Sequence, residues 1–139
     1  MTVYAETSAI LSWLFGEEEA GYAMDALDRA NAVVTSALSI IECRRALLRA
    51  EAGKLVSAAD GSRLLGILTR TFMQWTILEV TPVVRERAGQ RFPVEPVRSL
   101  DAIHLSSALT LLHVHPDLRV LSVDERLVAN LQPLGLERA

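Results

Sequence analysis

Apolar residues in this chain follow two rhythms. Short runs rich in Val, Ile and Thr read as strands over 2–6 (TVYAE), 32–36 (AVVTS), 76–80 (TILEV) and 119–123 (RVLSV). Between them, apolar positions recur every three or four residues, the period of an amphipathic helix. That period predicts helices over 8–15 (SAILSWLF), 17–30, 36–53, 57–75, 82–91, 99–113 and 124–131. Local signals set several of these limits. Thr7 or Ser8 can cap the first helix and Ser99 the sixth, because a hydroxyl oxygen accepts a free N–H of the first turn. Acids open the second helix, as the helix dipole favours. Gly53 stops the third helix and Pro82 starts the fifth. Residues 92–98 (FPVEPVR) form a loop broken by two prolines, and Gly135 opens a candidate last strand.

Strands alternating with helices imply an α/β fold with a central, mainly parallel sheet and helices on both faces. No internal repeat, low-complexity tract or linker divides the chain, and 139 residues suit a single domain over 1–139. In such sheets, sites form beyond the carboxyl ends of the strands. Glu6 and Asp124 stand there, each where an apolar strand gives way to a helix.

Composition narrows the setting. Half of the residues are hydrophobic, enough for a substantial core. No apolar run reaches the roughly 18 residues of a membrane span, and no basic segment precedes an apolar one at the start, so a cytoplasmic protein is expected. Cys43 has no partner for a disulfide and reads as a small buried residue in a reducing compartment. The net charge of −3 argues against a general nucleic-acid coat protein, though not against a local basic patch.

Four acids occupy unusual settings: Glu6, Glu42, Asp101 and Asp124. Each has a bland reading. Glu6 and Asp124 can be strand-end caps, and Glu42 can pair with Arg45 or Arg49 on a solvated helix face. Asp101 can favour the positive end of its helix. That helix, SLDAIHLSSALTLLH, has almost no polar face, so an acid in its first turn needs a partner to offset desolvation. Should the four converge, they persist together only when protonated or when a cation is shared among them. Oxygen donors without a Cys/His cluster point to Mg²⁺ or Mn²⁺ rather than zinc.

Spacing alone does not prove convergence. Four stretches in order, YAETSAILSWL, SALSIIECRRAL, RSLDAIHLSSAL and VLSVDERL, resemble a PIN-domain ribonuclease, specifically the VapC-type toxin of a VapBC toxin–antitoxin module. The resemblance runs from residue 2 to about residue 135. It implies a PIN-like three-layer sandwich and a metal-dependent endoribonuclease. Glu6, Glu42, Asp101 and Asp124 would bind Mg²⁺ or Mn²⁺, and a water activated by the metal would hydrolyse RNA phosphodiesters. It implies supporting hydroxyls at Ser8 and Ser122, with Thr7 beside them, and it implies a homodimer and a cognate antitoxin protein. One position departs from the pattern. The family usually has Asp where this chain has Glu6, which displaces the carboxylate by about 1.5 Å, one bond length.

Other residues divide between two readings. Arg44, Arg45 and Arg98 can hold RNA phosphates around the acids, or can pair along helices with Glu51, Glu86 and Glu95. Trp13, Trp75 and Phe72 are expected in the core or an interface. His113 and His115 lack a third ligand at zinc spacing, and His104 reads as structural. The alternative function is a degenerate PIN domain that binds RNA or protein without catalysis. A phosphatase-like hydrolase is disfavoured, because it needs an aspartyl nucleophile at the first strand end.

Overall fold

The computed structural model describes all residues 1–139. Five parallel strands lie in the order β3-β2-β1-β4-β5. They are β1 (Thr2–Ala5), β2 (Ala32–Ser36), β3 (Thr76–Leu78), β4 (Leu118–Leu121) and β5 (Glu137–Arg138). Helices α1 (Thr7–Phe15), α2 (Ala20–Arg29), α3 (Ala37–Ala52), α4 (Ala58–Gln74), α5 (Pro82–Ala88), α6 (Ser99–Leu112) and α7 (Glu125–Val128) cover its two faces. The three-layer α/β architecture is the one expected.

Strand alternation sorts the layers. Along β1, Val3 and Ala5 point to one face and Tyr4 to the other. On the first face, Ala5 packs with Ile10, Leu14, Cys43, Leu47, Leu64, Leu68 and Phe72 from α1, α3 and α4. Val3 and Leu121 pack there with Ala9, Ala23 and Ala26 of α1 and α2. On the opposite face, Tyr4, Val34, Leu118 and Val120 meet Leu105, Ala108 and Leu111 of α6 and Leu127 of α7. Phe72 and Trp75 stack edge to face with centroids 5.9 Å apart, so these aromatics are core residues rather than platforms for bases. No helix is long and apolar enough to cross a membrane.

Several limits differ from the sequence reading. The second helix starts at Ala20, because Glu17–Glu19 lie in a turn after Gly16. Gly16 takes φ 65°, the left-handed conformation that closes α1 and that a Cβ would disfavour. Ser99 does not cap α6. It is the first helical residue, and Arg98 holds the cap position without a side-chain bond to the helix. The helix expected over 124–131 is a single turn, Glu125–Val128, followed by a 3₁₀ turn at Gln132–Leu134. Gly135 ends that turn at φ 75° and leads into β5.

The order of the strands matters for function. From β1 the chain proceeds outward to β2 and β3, then returns to β4 on the other side of β1. The gap between the carboxyl ends of β1 and β4 is therefore the topological switch point, where α/β sheets open a crevice.

Candidate active site

Glu6 and Asp124 flank that crevice. The Glu6 N–H donates to Leu121 O at 2.9 Å, which ties the ends of β1 and β4 together. The Glu6 side chain then caps α1 itself. Its Oε1 accepts from Ser8 N–H at 3.0 Å, and its Oε2 accepts from the Ser122 hydroxyl at 2.8 Å and from the Ser8 hydroxyl. Neither Thr7 nor Ser8 is the cap, a correction with a plain cause. The extra methylene of Glu lets its carboxylate curl back onto the N–H that a shorter Asp normally takes at this position. Glu6 is 4% exposed, so these donors replace the water it loses.

Glu42 enters from α3, between exposed Ile41 and buried Cys43. Its Oε1 lies 2.7 Å from His104 Nε2 and 2.8 Å from Thr7 Oγ1. An ionised carboxylate only accepts, so both of these groups donate to it. The single Thr7 hydrogen is shared, since Thr7 Oγ1 also donates towards Ser39 Oγ at 3.0 Å. His104 with its proton on Nε2 presents a lone pair at Nδ1, and the Tyr4 hydroxyl donates there at 2.8 Å. A buried relay thus runs from Tyr4 on β1 through His104 on α6 to Glu42 on α3. His104 was expected to be structural; it sits inside the site and orients one of its acids.

The relay perturbs its members. Burial alone would raise the Glu42 carboxyl, but the hydrogen bond and electrostatic attraction of His104, with the Thr7 hydroxyl, outweigh it and hold the pKa below its ordinary value. A depressed carboxylate stabilises the native state wherever it is ionised in both states, and that stability is lost as pH falls through the folded value. The stability of wild type over Glu42→Gln is therefore expected to be full above pH 4.5, the ordinary value, and to shrink steadily below it. Urea unfolding of both proteins between pH 3 and pH 7 checks this, and a constant difference would deny the linkage. Burial, with the charges of Glu42 and Glu6, pushes the Cys43 thiol up to about 12, which makes it an inert core residue.

Asp101 and Asp124 form the other half. Arg98 spans them: Nε donates to Asp101 Oδ2 at 3.0 Å and Nη2 to Asp124 Oδ2 at 3.2 Å. This is the partner that an acid on an apolar helix required. Asp124 Oδ1 also caps α7 through Arg126 N–H at 3.0 Å. Ser122 joins the two halves, since its hydroxyl donates to Glu6 and accepts from Asp124 N–H at 3.2 Å. The hydrogen bond to Asp101, then its charge and those of Asp124 and Glu6, raise the Arg98 guanidinium further above its ordinary value.

The four acids are linked without closing into a chelate: His104 Nε2 lies 2.7 Å from Glu42 and 4.0 Å from Glu6, Ser122 connects Glu6 to the Asp124 N–H, and Arg98 ties Asp124 to Asp101. No three of them, with or without His104, converge on one point at ligating distance. Their donor chemistry nonetheless fits a hard cation. Every free donor atom is oxygen, and Asp101 and Asp124 already share one positive charge. Of the three arginines, only Arg98 contacts an acid of the site. Arg45 is exposed on α3, and Arg44 lines a groove towards α4 with Leu48, Glu51 and Ser62. Glu95 pairs with no arginine and instead accepts from Phe92 N–H and Val97 N–H at 2.9 and 2.8 Å, pinning the loop before Arg98. Tyr4 and Ser39 were missed. A tyrosine in an otherwise apolar buried strand was the available signal, because its hydroxyl needs a partner.

The profile of the PIN domain family matches residues 3–131. The chain belongs to the PIN-domain family. A curated relative of this PIN domain is Ribonuclease VapC35 of Mycobacterium tuberculosis (strain CDC 1551 / Oshkosh), 32% identical over 136 residues, or 96% of this chain and 93% of the relative. Ribonuclease VapC35 of strain ATCC 25618 / H37Rv matches at the same values. Among solved structures, Mycobacterium tuberculosis VapC20, described as a toxin that cleaves the sarcin–ricin loop, superposes with a TM-score of 0.66 at 17% identity, covering 91% of this chain and 93% of that one. VapBC2 from Rickettsia felis, bound to a DNA fragment of its promoter, gives 0.65 at 9% identity, covering 100% and 98%. These two share the fold.

Proposed function

We propose that this PIN domain is the endoribonuclease toxin of a VapBC-type pair and that it cuts RNA with the help of Mg²⁺ or Mn²⁺. The observation that supports the reading is the chain of contacts near the β1/β4 switch point: Ser122 links Glu6 to Asp124, Arg98 ties Asp124 to Asp101, and Thr7 and His104 hold Glu42. The kinship with Ribonuclease VapC35 supports the ribonuclease activity, and the VapBC2 neighbour supports a protein antitoxin as partner. A homodimer is part of the same proposal.

Asp101 and Asp124 would hold the cation, with Glu42 offering the oxygen its hydrogen bonds leave free and Glu6 adding its negative charge beside them. When bound, such an ion supplies charge neutralisation at the phosphate and an acidified water. The chain's own residues do the rest. His104 and Thr7 hold one oxygen of Glu42 and leave the other without a protein partner, whereas Ser8 and Ser122 engage both oxygens of Glu6. Arg98 contributes a fork that matches the oxygens of a phosphodiester. No side chain is needed as a covalent nucleophile, and Cys43 is too buried and too weakly acidic to serve as one.

The test is cleavage of a mixed RNA pool by purified protein with Mg²⁺, with Mn²⁺ and with a chelator. Cleavage is expected with metal and none with chelator. Intact RNA under all conditions would favour the degenerate binding domain instead. Glu6→Asp is expected to keep or raise the rate, because it restores the usual acid and Asp caps helices better than Glu. A large loss in the same assay would mean that the crevice is built around the longer side chain.

A further inference from the structure

Arg98 stands in an unusual relation to the acids. Its backbone is anchored, since the loop before it is held by Glu95 and by a pair of bonds between Val94 and Asn130, at 2.8 and 3.0 Å. Its side chain is 61% exposed and is held at the guanidinium by Asp101 and Asp124. A cavity of about 410 Å³ opens beside it, walled by Val94, Pro96, Asp101, Arg126 and Leu127, so the side chain has room to swing while its root stays fixed. Pairs of this kind are weak when exposed, so the bridge is easily displaced.

We propose that Arg98 is a built-in exchangeable counter-ion: it occupies the Asp101–Asp124 pair in the free protein and gives it up to a divalent cation, which releases the guanidinium to an RNA phosphate. The inference rests on the metal-dependent ribonuclease reading and deepens it. Two cations on one pair of carboxylates repel at short range, so ion and guanidinium exclude each other. The displaced fork then needs an anion, and a phosphodiester presents two oxygens in the matching geometry. Without metal, Asp101 and Asp124 share one positive charge supplied from within, at a place that holds no preformed chelate.

Mn²⁺ titration followed by electron paramagnetic resonance, which reads the free ion directly, tests the exchange without turnover. Arg98→Gln is expected to bind Mn²⁺ about five- to tenfold more tightly than wild type, the factor set by freeing two exposed pairs. Arg126→Gln removes a charge that pairs with Asp124 alone, at 3.8 Å, and does not span the two acids; it is expected to change affinity less than about twofold. In the Asp101→Asn background, Arg98→Gln should no longer tighten binding. In cleavage, Arg98→Gln should lower the metal concentration needed for half the maximal rate while raising KM for RNA. Equal gains from Arg98→Gln and Arg126→Gln would reduce the effect to a general field and overturn the exchange. So would unchanged Mn²⁺ affinity in Arg98→Gln, or worsening of both metal requirement and KM. Absence of Mn²⁺ binding in every variant would instead bring down the metal reading and the exchange with it.

Discussion

Asp101→Asn is expected to abolish metal-dependent RNA cleavage, lowering the rate by about a hundredfold or more, while the protein stays folded. Two separate estimates underlie this. The first concerns stability. Asp101 sits in the first turn of α6 and pairs with Arg98, contributions of about 0.3–1 kcal/mol from the helix dipole and 0–1 kcal/mol from an exposed ion pair. Their sum is small against the roughly 5–15 kcal/mol that holds a domain together. Asn keeps an oxygen that can still accept from Arg98, so the melting temperature should fall by no more than about 6 °C. The second concerns chemistry. The substitution removes one formal charge from the pair proposed to hold the cation, and a neutral amide oxygen is a much weaker ligand for Mg²⁺ or Mn²⁺. The check is cleavage of the RNA pool and thermal melting on the same preparation. Full activity in Asp101→Asn would remove this acid from the site, whatever the melt showed. Lost activity with a collapsed melt would indicate a structural residue instead.

The sequence made some of this arrangement legible and concealed the rest for definite reasons. Glu6 and Asp124 could be placed because an apolar strand ends at each and the ends of parallel strands face one edge. Asp101 could be singled out because its helix lacks a polar face. The three-layer fold followed from two periodicities that scarcely overlap. What could not be read were partnerships across long separations. Tyr4 and His104 are 100 residues apart, and His104 and Glu42 are 62 apart. Nothing local distinguishes a histidine that orients a carboxylate from one that fills a core. The cap of α1 stayed open between Glu6 and Thr7 or Ser8 for an opposite reason, since propensity favours Thr or Ser and the fold gives the position to Glu6, which also reaches Ser122. Helix limits failed where competing contacts decided them. Asn130 turns away to pair with Val94, and α7 ends after one turn.

His104→Leu is expected to cost about 3–5 kcal/mol of stability, the largest loss from any one side chain of the relay. His104 is 1% exposed and Tyr4 fully buried, so water cannot replace the imidazole at the Tyr4 hydroxyl. That hydroxyl would be left without a partner, a cost of about 1–3 kcal/mol, and Glu42 would lose a charge-assisted bond of about 1.5–3 kcal/mol. Leu fills similar volume, so a cavity adds little. Tyr4→Phe removes the same hydroxyl and gives a control with a defined sign. If the cost of His104→Leu comes partly from the orphaned phenol, then adding Tyr4→Phe should recover about 1 kcal/mol or more rather than deepen the loss. Urea unfolding of the four proteins in the cycle measures the coupling. Strict additivity would mean that Tyr4 and His104 are packed neighbours and no more. The relay also predicts a change in the site itself. Without His104 the two largest factors that hold Glu42 down are lost, while its burial, the Thr7 hydroxyl and the Arg49 charge remain, so its carboxyl should move upward. The stability lost through Glu42 on acidification below its ordinary value should then be smaller in His104→Leu than in wild type. His104→Gln, which offers both an N–H and a carbonyl oxygen, is expected to restore part of the stability and part of the shift together.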